Sequence, residues 1–154
     1  MSNIKLTHLD DSGKAVMVDV SGKPRLRRSA HAFCSIYLEA ATIALIKDGR
    51  VPKGDVLATA RIAGIMAGKK AAELIPLCHN IEIDQIRIDL SVEEDRIDID
   101  AHALCTNKTG IEMEALTAAS VAALAIWDMC KAVDKSMRIE NLHLVEKRKE
   151  EIHE

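Results

Sequence analysis

Asp128 and Lys131 stand three residues apart in WDMCK, near the end of a long alanine-rich run. At about 100° per residue, Thr117, Ser120, Asp128 and Lys131 fall in one helical stripe roughly 80° wide. Such a pair on a helix surface is ordinarily a weak ion pair. Here its neighbours are Ala, Val, Ile, Trp, Met and Cys, so the pair is expected to line a cleft. Acid and amine in a cleft can exchange protons with a ligand near neutral pH. Glu112 and Glu114 open the same run in KTGIEMEAL, where the helix dipole favours carboxylates. A carboxylate can also accept paired N–H groups, such as those on the edge of a guanine-like ring. Glu114 lies within about 40° of Asp128 in phase but roughly 21 Å away along the axis. Either a long ligand spans both ends, or the site is shared between subunits.

Lys53 precedes Asp55, a helix cap, and a cation beside free backbone N–H groups suits a phosphate. Arg28 belongs to KPRLRR, which reads as a solvated loop or as an arm reaching an anion. His79 of PLCHN offers hydrogen bonding, phosphate binding or proton transfer. Cys78 beside it has no second paired spacing, so no metal site is expected there. No Walker loop, GxGxxG after a strand or nucleophile elbow is present.

Elements must position these groups. Ala30, Ala32, Cys34, Ile36 and Leu38 alternate with His31, Phe33, Ser35 and Tyr37, a strand period. Glu39–Asp48 reads as a short helix stopped by Gly49, and a long helix follows from the Asp55 cap to about Leu74. Ala60, Gly64 and Gly68 recur along it every four residues, which points to close packing on another backbone. Ile81 and Ile83 are out of phase with Ile86, Ile88, Leu90 and Val92, so a bulge or bend is predicted near 84–85. Ile97, Ile99, Ala101 and Ala103 complete a hairpin. A helix over 113–136 and a strand over about 137–145 end the pattern.

That order predicts an α+β fold, a ferredoxin-like antiparallel sheet with helices packed on one face. The other sheet face needs cover or must tolerate water, and with Ile-rich strands homo-oligomerisation is the simpler expected cover. The 154 residues suit a single domain over 1–154, with a flexible lead-in to about 28 and a frayed tail over about 147–154. A net charge of −3 and 2% aromatics disfavour nucleic acid as a partner. No apolar run approaches the roughly 18 residues of a membrane span, and the amino terminus has no apolar signal centre. A cytoplasmic protein with Cys34, Cys78, Cys105 and Cys130 reduced is expected.

Three stretches together resemble the cyclic pyranopterin monophosphate synthases of molybdenum cofactor biosynthesis: MVDVSGK, KGDVLATARIAGIMAGKKAAELIPLCH and KTGIEMEALTAASVAALAIWDMCKAVDK. The resemblance implies a homohexamer, a trimer of dimers with sites at the dimer interface. It implies a nucleotide-derived substrate, 3′,8-cyclo-7,8-dihydroguanosine 5′-triphosphate, converted to cyclic pyranopterin monophosphate with release of pyrophosphate. The sequence itself requires no cofactor or protein metal site, and Mg²⁺ on the phosphates is compatible with it. The family's catalytic pair falls on Asp128 and Lys131. Its substrate contacts fall on Leu77, Cys78 and His79, and on Met113 and Glu114 with Glu112 beside them. Its phosphate-region lysine matches Lys53, its arginine matches Arg28 of RSAHA, and a late lysine matches Lys147. Asn107 stands where the family usually has glycine before KTG, and KRKEEIHE replaces a glycine-rich tail. The reading from another class is a non-catalytic nucleotide-binding regulator.

Overall fold

A computed structural model describes residues 8–152. Residues 1–7 and 153–154, the outermost parts of the expected lead-in and tail, lie outside the described residues. The elements run β1 (Leu26–Tyr37), α1 (Ala40–Lys47), α2 (Val56–Gly68), α3 (Ala71–Leu74), β2 (Gln85–Val92), β3 (Arg96–Asn107), α4 (Glu112–Cys130) and β4 (Arg138–Glu150). The fold is α+β. Its four strands form one antiparallel sheet in the order β2-β3-β1-β4.

Strand alternation sets the two faces. Ala30, Ala32, Cys34 and Ile36 of β1 and Ile97, Ile99, Ala101, Ala103 and Cys105 of β3 are buried beneath α4. Their alternates, including His31, Ser35, Asp98, Asp100 and His102, occupy the opposite face. The isoleucines therefore spend their apolar surface on the helical layer. The helix-free face of β1 and β3 is largely polar, which fits the alternative of a face that tolerates water.

The glycines of α2 do what their spacing predicts. A Cβ on Gly64 would lie 2.8 Å from the Ala118 carbonyl oxygen of α4 and 2.2 Å from Ile88 Cδ1. On Gly68 it would meet the Glu114 carbonyl oxygen at 3.0 Å. The small residues let α2 and α4 approach backbone to backbone.

Several boundaries differ from the sequence reading. The helix expected to reach Leu74 stops at Gly68, and Lys69 and Lys70 turn the chain into the separate α3. The bulge or bend expected near 84–85 is a bend at Asp84, which separates Ile81 and Ile83 from β2, whose register with β3 is unbroken from Gln85 to Val92. Irregularities of register lie between β1 and β4, where Asn141 takes a φ of 60°. α4 ends at Cys130 rather than 136. Asp134 closes the following turn, accepting from the Glu39 and Ser136 backbone N–H groups at 2.8 and 2.9 Å. β4 continues past Val145 to Glu150, so residues 147–150 pair with β1 instead of fraying. At 19 residues, α4 is also long and apolar enough to cross a bilayer, contrary to the count of apolar runs. Its alanine face packs on the sheet and on α2, which makes it a core helix.

Candidate active site

The ends of α4 hold two separate groups of polar side chains. At its carboxy-terminal end, Asp128 Oδ1 lies 2.7 Å from Lys131 Nζ and Oδ2 lies 2.9 Å from Lys53 Nζ. Lys53 reaches this point from the loop that leads into α2, and its ammonium also donates to the Asp128 carbonyl oxygen at 2.9 Å. It thereby satisfies one of the carbonyls that a helix terminus leaves without an intrahelical partner. A carboxylate in the last turn opposes the helix dipole. The hydrogen bonds from Lys131 and Lys53 outweigh that and bring the Asp128 carboxyl down to about 2. All three side chains are roughly half exposed. They line none of five cavities found among the described residues, and Asp128 and Lys131 stand at the surface of the single chain instead of in the expected cleft.

At the amino-terminal end of α4, a cavity of about 320 Å³ is lined by Leu77, Cys78, His79, Glu112 and Met113, together with Val18, Val20, Lys23, Thr109 and Gly110. His79 Nε2 is 2.7 Å from the Val18 carbonyl oxygen, so the segment before β1 forms one wall. That segment is tied down elsewhere too: Lys108 Nζ donates to the Ser21 carbonyl at 2.6 Å, and Arg25 Nη2 to the Thr106 carbonyl at 2.8 Å. Glu114 lies behind this wall, 2% exposed. Cys78 Sγ donates to its Oε1 at 3.8 Å, while Oε2 has no protein partner. Burial raises the Glu114 carboxyl above its ordinary value. Burial, and then the Glu114 charge, push the Cys78 thiol up to about 11, in keeping with its place as a hydrogen-bond donor to Glu114.

Glu112 is shared with a second cavity, of about 260 Å³, that also involves Arg28, Lys147 and Arg148. Lys147 Nζ lies 3.0 Å from Glu112 Oε1. Arg28 is aimed by the Asn107 and Lys108 carbonyls, to which it donates at 3.0 and 3.2 Å. Arg28, Leu77, Cys78, His79, Glu112, Met113, Glu114 and Lys147 are thus gathered around one helix end. Lys53 stands apart from Arg28 and His79 and joins Asp128 and Lys131. At about 1.5 Å per residue the two groups are roughly 21 Å apart along α4.

Two features escape a reading of the sequence by residue type. The Val18 carbonyl is main chain, and only the stretch MVDV marked its neighbourhood. The Lys53–Asp128 contact joins positions on different elements, with no shared spacing to reveal it. The Asp55 side chain accepts from the Ala58 N–H at 2.9 Å, so the start of α2 is already partly capped.

Comparison with known proteins bears on the whole of this arrangement. The cyclic pyranopterin monophosphate synthase of Peptoclostridium acidaminophilum is 51% identical over 144 residues, 94% of this chain and 92% of that protein. Its counterpart from Chloroflexus aurantiacus is 51% identical over 146 residues, 94% and 90% of the two chains. That from Novosphingobium aromaticivorans is 53% identical over 143 residues, 93% and 91%. Residues 17–150, which include both ends of α4 and every wall of the cavities around Glu112 except His8, match the model of the MoaC family, and the chain belongs to that family.

Proposed function

We propose that the chain is a cyclic pyranopterin monophosphate synthase, converting 3′,8-cyclo-7,8-dihydroguanosine 5′-triphosphate to cyclic pyranopterin monophosphate and pyrophosphate. The observation that carries this is the split constellation on α4 in a chain about half identical to synthases over nearly its full length. The substrate is long and anionic and has ring N–H groups, which suits a carboxylate-bearing cavity at one end and lysines at the other. The relatives' names favour an enzyme over a non-catalytic nucleotide-binding regulator.

In this reading the site is shared. One protomer supplies Asp128, Lys131 and Lys53; its partner supplies the cavity around Leu77, Cys78, His79, Met113 and Glu114, with Glu112, Arg28 and Lys147 at its rim. The strand order and the helices on one face support a ferredoxin-like subunit, and a trimer of dimers is the assembly we assign. A carboxyl at about 2 is ionised at neutral pH, so Asp128 is no acid in the resting site. It holds two ammonium groups toward the ligand, from which Lys131 passes a proton during rearrangement of the purine-derived ring. Lys53, Arg28 and His79 hold the triphosphate, the charge of the lysine and arginine stabilising the departing pyrophosphate. Mg²⁺ on the phosphates is compatible with this scheme, which uses no protein-bound metal.

The test is incubation of the purified chain with the cyclised nucleotide while pyrophosphate is measured. Release by the wild type and a loss of about 10²-fold or more in Asp128→Asn are expected. Near-normal turnover by Asp128→Asn would overturn the role of this pair. Mixing subunits carrying Asp128→Asn with subunits carrying Glu114→Gln should restore part of the activity, because one intact site can form at their junction. No recovery in mixed assemblies would overturn sharing.

A further inference from the structure

The helix-free face of the sheet carries a third group of polar side chains that the proposed chemistry does not use. His31 on β1 and His102 on β3 are direct partners in the antiparallel register, and Asp100 lies two residues before His102 on the same face. The imidazoles are stacked with centroids 4.1 Å apart and an interplanar angle of 19°. His31 Nε2 is 2.6 Å from Asp100 Oδ1. One donor atom from each of the three residues lies within 4.8 Å of the others. All three are partly buried, and His31 and His102 line a cavity of about 240 Å³ together with Arg87, Glu146 and Arg148.

We propose that His31, Asp100 and His102 form a binding site for a divalent transition-metal ion of the zinc class. Two imidazole nitrogens and a carboxylate oxygen are a donor set that such ions take, with the remaining positions open to water. In a tetrahedral site with bonds of about 2.0–2.1 Å the donors stand about 3.3 Å apart. Because the rings are now stacked and each nitrogen binds in its ring plane, one imidazole must turn out of the stack to aim at the same ion. The ion takes the place of the hydrogen between His31 Nε2 and Asp100 Oδ1; in a neutral ring that hydrogen moves to Nδ1, and in a charged ring it passes to solvent. Local charge permits this. Arg87 is paired with Asp89 at 2.9 Å and Arg148 with Glu146 at 2.7 Å, so each nearby guanidinium is balanced by a carboxylate. Asp89 Oδ2 also lies 3.8 Å from His102 Nε2, where it can orient the ring.

The experiment is calorimetric titration of the full chain with ZnCl₂, paralleled by Co²⁺ titration followed by visible absorption. One equivalent per chain is expected, with affinity falling about tenfold or more in both His102→Ala and Asp100→Asn. His143→Ala, which removes an exposed histidine of β4, should leave the titration unchanged. Failure of Zn²⁺ to bind the wild type, or equal binding by Asp100→Asn and His102→Ala, would overturn the site. Should His102→Ala misfold, Asp100→Asn and the shift of the His31 and His102 imidazole NMR signals on adding Zn²⁺ decide the matter. Unmoved signals overturn it.

Discussion

Lys53 Nζ donates to both the side-chain carboxylate and the main-chain carbonyl of Asp128, each at 2.9 Å. The same ammonium therefore caps α4 and fixes the charge of the acid on its last turn. Replacing Lys53 with Met should raise the Asp128 pKa from about 2 toward the ordinary 3.8, with Lys131 still holding it partly down. Because the folded value lies below the unfolded one, the stabilisation is present above pH 3.8 and is lost as pH falls through about 2. Carboxyl carbon-13 shifts between pH 1.5 and 6 measure this. A wild-type Asp128 titrating near 4 would contradict the ion-pair geometry.

Glu114 has the opposite sign. Its buried carboxyl is raised above the ordinary 4.5, so folding is favoured while it is protonated, and that advantage is lost as pH rises through the folded value. Glu114→Gln should be no more stable than the wild type below pH 4.5 and relatively more stable above it. Urea midpoints of the two proteins at pH 4 and pH 8 give the comparison. A stability difference that does not change with pH would mean that Glu114 is not held as described.

Gly64→Ala should destabilise the protein. The added methyl meets a backbone carbonyl of α4 as well as Ile88, and overpacking of this kind costs about 1–3 kcal/mol. Better helix propensity returns up to about 1 kcal/mol. Gly22→Ala, where the Cβ enters open space, serves as the comparison and should be close to neutral. Denaturant unfolding of both variants checks the difference.

Asp134 is 1% exposed and ties the start of α1 to the turn after α4. Asp134→Ala leaves the Glu39 and Ser136 N–H groups without this acceptor, and a loss of about 1–3 kcal/mol is expected. Turnover per folded molecule should be retained, because this side chain faces neither group on α4. A loss of activity without loss of stability would assign Asp134 a part in the chemistry.

The sheet was legible because period-two alternation states which side of each strand is buried, as His31 between Ala30 and Ala32 shows. The α2–α4 contact was legible from Gly64 and Gly68, since glycine repeated on one helical face has few other uses. Helix ends were less so. Lys69 and Lys70 are good helix formers, and nothing local announces the break that tertiary packing places there. The apparent phase slip at residues 84–85 arises because Ile81 and Ile83 pack from a loop, where strand periodicity has no meaning. The site residues were legible as types at the two ends of one helix. Their contacts were not, because Lys53 with Asp128, and His31 with His102, meet only through loop path and strand register.

The unbroken run of α4 from Glu112 to Cys130 acts as a ruler between its two ends. Adding or deleting a single residue between Glu114 and Asp128 would turn one end by about 100° against the other and change their spacing by about 1.5 Å. A change of length inside this helix would therefore break the alignment of its two ends, whereas a substitution on its alanine face leaves that alignment standing.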